Sequence, residues 1–328
     1  SCSDDTTIKM WDILSGLQQN TFNGHKKAVN TIQISRDERW CISGSEDCTL
    51  RFWKINPFKN AQPESFEHRG RINFISADRE ACLVATASDD SFIKVWNVPD
   101  GEYKMTLRGH IGPVRCLLFI NKTIISGGDD STVKIWDAGK GILTKNLGDI
   151  SRNIITSSVR VSGLNSFSNQ VYSKFHEKPV TCLKAFDENR FFSGSKDGTV
   201  RLWDLNSIDP LMVYNGINGT VESLIYNQKN NTVMGAGSDC DILIWDVNSG
   251  TIRMRLSGHK SSITSLMLLD NNRLLSSSLD KSVRIWDLQT GVSILTGEHS
   301  SRITCFEVDK NSGFLITGCI DRQIRVFN

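Results

Sequence analysis

Residues 127–137 read GGDDSTVKIWD: a tight polar turn, then a short alternating run closing on Trp-Asp. Close variants stand at 1–12 (SCSDDTTIKMWD), 43–54 (SGSEDCTLRFWK), 86–97 (TASDDSFIKVWN), 193–204 (SGSKDGTVRLWD), 236–246 (AGSDCDILIWD), 276–287 (SSSLDKSVRIWD) and 317–328 (TGCIDRQIRVFN). The closing aromatic falls at Trp11, Trp53, Trp96, Trp136, Trp203, Trp245, Trp286 and Phe327, at spacings of 42, 43, 40, 67, 42, 41 and 41. A period near 42 is too long for a helical hairpin repeat and suits four short strands with their turns. In the unit that follows His259, strands are expected over 262–269, 273–278, 282–288 and 292–297, each close to the usual strand length. Four such strands cannot bury both faces alone, so the units must pack side by side.

Three further columns keep the same frame. The six histidines, His25, His68, His110, His176, His259 and His299, each lie 26 to 28 residues before a closing aromatic. Asp5, Asp47, Asp90, Asp130, Asp197, Asp239, Asp280 and Asp321 stand six residues before it, and Ser1, Ser43, Thr86, Ser126, Ser193, Ser276 and Thr317 ten before it. The repeat ending at Trp245 has Ile217 in place of the histidine and Gly235 in place of the hydroxyl. Because the two losses coincide, the positions are expected to touch. Reagent histidines would not obey one offset six times, and a hydrolase needs one exposed serine with one tuned base. No P-loop, HExxH, EF-hand or GxSxG motif is present either, so no enzyme, cofactor or metal site is expected.

Gly-His at 24–25, 109–110 and 258–259, with Trp-Asp at 11–12, 136–137, 203–204, 245–246 and 286–287, resembles the WD40-repeat family over almost the whole chain. The resemblance implies a β-propeller and, within each blade, a hydrogen-bonded tetrad of His, Ser/Thr, Asp and Trp. For one repeat the chain would run Asp130 to His110, His110 to Ser126, and Ser126 to the Trp136 indole. Seven blades are expected, with the N-terminal strand near 17–22 closing the last blade and residues 1–12 left over. The alternative is eight blades with a truncated first. One domain over 1–328 is expected, read as a piece of a longer protein. The long 136–203 interval is expected to hold an insertion loop at 148–169, around the outer strand of its blade.

The formal net charge of +2 gives no global field for nucleic acid, and no apolar run is long enough to span a bilayer. Nine cysteines without a CxxC pair read as reduced core residues, which favours a cytoplasmic setting, with a nuclear one as the alternative. The family resemblance implies a non-catalytic scaffold that binds protein or peptide partners within a larger complex. The alternative is a propeller subunit of an RNA-processing or chromatin complex, with nucleic acid not expected as a partner of this domain alone. The turns before the innermost strands gather Lys26, Lys27, Arg69, Arg71, Arg115 and Arg302, beside Glu46, Asp89 and Asp129. Such an arc matches an acidic or phosphorylated peptide, the alternative being solvated surface charge.

Overall fold

A computed structural model of the protein describes residues 1–12, 15, 17–35, 38–55, 64–78, 83–98, 101–148, 160–161, 173–308, 315–319 and 324–327. They form two compact units, Ser1–Leu147 and Gly148–Asn328. Every regular element among them is a strand.

Short meandering strands follow from the alternation of apolar and polar residues and from a turn that recurs before each third strand. There the aspartate Oδ1 accepts the N–H two residues on, as in Thr49 N–H to Asp47 at 2.9 Å, and the residue between turns left-handed (φ 70° at Cys48, 63° at Ser131, 81° at Gly198). In the first unit this produces blade one (Val29–Ile34, Trp40–Ser45, Thr49–Lys54, Glu64–Glu67), blade two (Ile72–Ala77, Leu83–Ser88, Phe92–Asn97, Tyr103–Arg108) and blade three (Val114–Ile120, Thr123–Gly128, Val133–Asp137, Leu143–Leu147). The second unit holds blade four (Val180–Ala185, Arg190–Ser195, Val200–Asp204, Met212–Tyr214), blade five (Val221–Asn227, Thr232–Gly237, Ile242–Asp246, Ile252–Leu256), blade six (Ile263–Leu268, Arg273–Ser278, Ser282–Asp287, Ser293–Glu298) and blade seven (Ile303–Val308, Leu315–Cys319, Ile324–Phe327). The expected strands of blade six agree with these to within a residue or so at each end.

The N-terminal strand is a correction. Gln18–Phe22 was expected to complete the last blade, but it pairs antiparallel with Ile8–Trp11. Ile8 is buried against Val29, Cys41 and Trp53 of blade one. Residues 1–12 are therefore not surplus. They supply the third-strand partner of a local hairpin, and Ile8 covers the face of blade one. A neighbour a few residues away in sequence takes the edge at little loop-closure cost.

Of the insertion expected at 148–169, only Gly148 and residues 160–161 are described, and the rest lies outside the described residues. Arg160–Val161 runs parallel to Met212–Val213 as a fifth strand on blade four.

Blade stacking explains which residues are fixed. Leu50 and Phe52 of blade one meet Ile72, Ile75, Val84 and Trp96 of blade two. Leu202 and Tyr214 of blade four meet Val221, Leu224 and Trp245 of blade five. The closing tryptophan of one blade thus packs on the preceding blade. Gly44 sits where the next innermost strand crosses, and a Cβ there would lie 2.4 Å from Ile72 Cγ2. All seven blades carry a β-bulge between the first and second residues paired in the innermost strand, such as Val29 and Thr31. The extra residue reaches sideways: Asn30 Nδ2 donates to Ile72 O (3.0 Å), Asn73 Nδ2 to Val114 O (2.9 Å) and Thr264 Oγ1 to Ile303 O (3.3 Å).

Overpacking at a blade crossing destabilises the fold. Gly44→Ala is expected to lower unfolding free energy by about 1–3 kcal/mol, read as a lower urea midpoint at unchanged m-value. An unchanged midpoint would contradict this packing.

Candidate functional site

Each innermost strand is preceded by a turn, and the tetrad fixes it. In blades one, two, three, four and six the histidine Nδ1 lies 2.8–2.9 Å from the aspartate Oδ2. Its Nε2 lies 2.7–2.8 Å from the hydroxyl of Ser43, Thr86, Ser126, Ser193 or Ser276. The same hydroxyl accepts the indole N–H of Trp53, Trp96, Trp136, Trp203 or Trp286 at 2.7–3.0 Å. One proton arrangement satisfies the whole chain: the indole donates to the hydroxyl, the hydroxyl to Nε2, and Nδ1–H to the carboxylate. All five histidines are buried.

Blade five departs from this pattern, and only part of blade seven's set falls among the described residues. In blade five a Cβ on Gly235 would lie 3.2 Å from Ile217 Cδ1 and 3.0 Å from Trp245, so the two lost positions do adjoin. There the Trp245 indole donates to Asn215 O at 3.0 Å, and Asp239 still accepts Asn218 N–H, at 3.2 Å. In blade seven Thr317 is fully buried, His299 Nδ1 meets Cys319 Sγ at 3.6 Å, and Asp321 lies outside the described residues.

A second function of the tetrad aspartate emerges from the backbone. Its Oδ2 also accepts the N–H of the residue after the histidine: Lys26 (2.7 Å), Arg69 (2.9 Å), Ile111 (2.9 Å), Glu177 (3.1 Å) and Lys260 (2.8 Å). The buried tetrad thereby holds an exposed display position, whose side chain is free to vary because only its N–H is used. In the first unit that position reads Lys26, Arg69 and Ile111, and Ile111 is 90% exposed.

Beside it runs a charge ladder. Arg71 pairs with Glu46 and Asp89 (both 3.3 Å), and Arg115 with Asp89 (3.2 Å) and Asp129. Asp129 is the main cause of the upward shift of the Arg115 guanidinium. The expected arginine arc is thus split. Arg71 and Arg115 are engaged with carboxylates, whereas Lys26, Lys27 and Arg69 are exposed and enter no ion pair among the described residues. Arg302 is exposed and belongs to the second unit.

Sequence reasoning missed one column. The residue two before each closing aromatic is Lys9, Arg51, Lys94, Lys134, Arg201, Arg284 or Arg325, with Leu243 only in the blade that lacks the histidine. Arg51, Lys94 and Arg284 lie 5.9–6.0 Å from the ring centroids of Trp53, Trp96 and Trp286. Buried Arg201 donates to the carbonyls of Ser173 and Lys174. The signal was present as one more fixed offset, but basic residues in strands are common enough to pass unremarked.

No three or more His, Cys, Asp and Glu among the described residues group as a metal site, and the eight described cysteines form no disulfide with one another. Burial holds His25, His176 and His259 below the usual imidazole range, against the opposing pull of their aspartates. Burial alone would raise the aspartates, yet hydrogen bonds from the histidine, the neighbouring backbone and, at Asp280, Ser282 lower Asp90 and Asp280 to about 2. Both groups therefore favour the fold above their unfolded pKa. Stability is expected to fall as pH drops below ~6.5 for the three histidines, and again between ~4 and about 2 for the carboxylates. Urea midpoints that stayed flat from pH 7 to 5 would contradict the first step. Ser126→Ala strands His110 Nε2 and the Trp136 indole together, so a loss of about 1–3 kcal/mol is expected by urea unfolding. A change under half a kcal/mol, roughly the spread of inert surface substitutions, would contradict the tetrad.

The family model described as "Nucleolar protein 10-like, N-terminal domain", a β-propeller, matches residues 67–328, and that of the "WD domain, G-beta repeat" matches 16–54. Nuclear distribution protein PAC1 of Arthroderma otae is 28% identical over 290 residues, covering 81% of this chain and 60% of the relative. Periodic tryptophan protein 2 of Arabidopsis thaliana is 33% identical over 144 residues, 42% of this chain and 16% of that protein. The chain thus spans about three fifths of the PAC1 relative's length. Among solved structures, the computationally designed Ika8 protein matches with TM-score 0.79 and 27% identity, covering 99% of this chain and 91% of that one. The WD40 β-propeller domain of Doa1 matches with TM-score 0.67 and 25% identity over 94% and 95%. With the repeat, the tetrads and these matches together, the chain belongs to the WD40-repeat β-propellers, and over residues 67–328 to their nucleolar protein 10-like N-terminal-domain family.

Proposed function

We propose that the protein is a non-catalytic interaction scaffold whose first unit presents a rim for an acidic or phosphorylated segment of a partner protein. The observation that carries this reading is the clamped display position. Lys26 and Arg69 project from backbone held by Asp47 and Asp90, and Lys27 adds a third exposed cation. Fixed backbone leaves little entropy to lose on binding. Ile111 adds an apolar contact beside the charges, and in the ladder of Glu46, Arg71, Asp89, Arg115 and Asp129 the two guanidiniums are already engaged by three carboxylates, which leaves Lys26, Lys27 and Arg69 as the cations open to a partner. The histidines support a non-catalytic role, since both ring nitrogens of the five tetrad imidazoles are occupied by structural partners.

A second reading, a subunit of a nucleolar assembly such as an RNA-processing complex, is favoured by the nucleolar protein 10-like family match. It is compatible with the scaffold role. The two differ in whether nucleic acid is contacted directly, and the net charge of +2 weighs against that for this chain alone.

The direct test uses two fluorescein-labelled probes, a hexaglutamate peptide and a doubly phosphorylated serine peptide, followed by anisotropy. Lys26→Glu/Lys27→Glu/Arg69→Glu is expected to weaken binding by about tenfold or more, with Lys260→Glu as a control that leaves it unchanged. Equal binding by the triple variant and wild type removes the rim. If a single-stranded RNA oligonucleotide bound instead, with affinity falling steeply as salt rises, the second reading would take precedence.

A further inference from the structure

Blade five carries an asparagine–glycine pair, Asn218-Gly219, at its display position. We propose that Asn218 is a site of spontaneous deamidation, which converts a neutral display residue into an aspartate or isoaspartate.

The reaction needs only water. The Gly219 nitrogen attacks Asn218 Cγ, the new N–Cγ bond closes a succinimide ring, and the Cγ–Nδ2 bond breaks. Ammonia leaves with the proton given up by the Gly219 N–H. Water then opens the ring at either carbonyl, leaving aspartate or, with the backbone rerouted through the side chain, isoaspartate. Glycine favours the step because no Cβ shields its nitrogen.

Three such pairs stand in the chain, at 23–24, 215–216 and 218–219. The structure separates them. Gly24 precedes buried His25, and a Cβ there would lie 2.8 Å from Arg51 Nη1 and 3.3 Å from Trp53. Gly216 precedes buried Ile217, and a Cβ there would lie 3.0 Å from both Leu243 and Ile252. The carbonyl of Asn215 also accepts the Trp245 indole. Closing a ring at either pair turns a peptide that is packed against its blade.

Asn218 lies one residue beyond that buried position and is exposed. Among the described residues its carboxamide makes no hydrogen bond, nor does the Gly219 N–H that must attack it. Its own N–H is held by Asp239 at 3.2 Å, against 2.7–3.1 Å for the same contact in the five blades with a tetrad histidine. No imidazole stands behind this clamp, since Ile217 replaces it. The glycine is nevertheless required: Gly219 has φ 151°, and a Cβ there would lie 2.2 Å from Ser238 Oγ. The fold thus keeps the reactive pair and leaves it the freedom to react. The product places a carboxylate beside Asp239, so like charges oppose each other at the clamp.

The test incubates the intact chain in mildly alkaline buffer and follows all three pairs by peptide mapping. Protein-isoaspartate methyltransferase with labelled S-adenosylmethionine is the probe for isoaspartate. Asn218 is expected to convert at least about tenfold faster than Asn23 and Asn215, which must wait for local opening. In urea the three rates should converge, and Asn218→Gln should remove the rapid labelling of the folded chain. Equal rates in the folded chain, a faster reaction at Asn23 or Asn215, or a lead for Asn218 that persists in urea would overturn the proposal. Asn218→Asp, a stand-in for the product, should unfold at lower urea than Asn218→Gln. Equal midpoints would overturn the opposition to Asp239.

Discussion

The register of five blades depends on an unbroken relay of hydrogen bonds from an indole through a hydroxyl and an imidazole to a carboxylate. Trp136, Ser126, His110 and Asp130 show it in one blade, and four other blades repeat it. The relay joins three separate places in the sequence: the turn before the innermost strand, the second strand and the third. None of its members can be replaced alone without leaving a buried polar atom unmatched, which costs more than an intact hydrogen bond gains. The relay therefore sets register. The bulk of the stability comes from the apolar faces between blades, where a single buried Leu or Ile contributes about 1.5–3 kcal/mol, against roughly 0.5–1.5 net for one hydrogen bond.

Blade five shows the division of labour. It has lost the histidine, the hydroxyl and the flanking cation together, as Ile217, Gly235 and Leu243, and these changes compensate one another. Ile217 and Leu243 pack with Trp245 in the apolar cluster shared with blade four, and the indole finds a backbone carbonyl. The cost is visible at Asp239, whose Oδ1 is buried without a partner and whose carboxyl is pushed up by burial, opposite in direction to the tetrad aspartates. A relay can thus be exchanged for packing, but only as a unit. Function is placed on what the relay leaves free. Because the carboxylate clamps an N–H and not a side chain, the same buried device presents Lys26, Arg69 and Ile111 without prescribing them.

The repeat, the strand order and the tetrads were legible in the sequence because each rests on a residue type that has few other uses at a fixed offset. His68, Thr86, Asp90 and Trp96 could be aligned with His176, Ser193, Asp197 and Trp203 by counting alone. The rim was only half legible. Arg71 and Glu46 are 25 residues apart, and Arg115 and Asp129 are 14, so counting could place them in adjoining turns but not decide that they neutralise one another. The bulge residues Asn30 and Asn73 gave no signal, since a bulge is a property of the pairing and not of the residue type. The N-terminal hairpin was misplaced because a period of 42 fits either partner for Gln18–Phe22, and the decision lay in a few residues of loop.

The most direct measurement of the central claim is the protonation of the imidazoles themselves, by long-range 1H–15N correlation NMR at pH 7. The relay requires His25, His176 and His259 each to carry a single proton on Nδ1, with Nε2 bare and accepting from its serine. Resonances of the Nε2–H tautomer, or imidazoles averaging freely between tautomers, would contradict it.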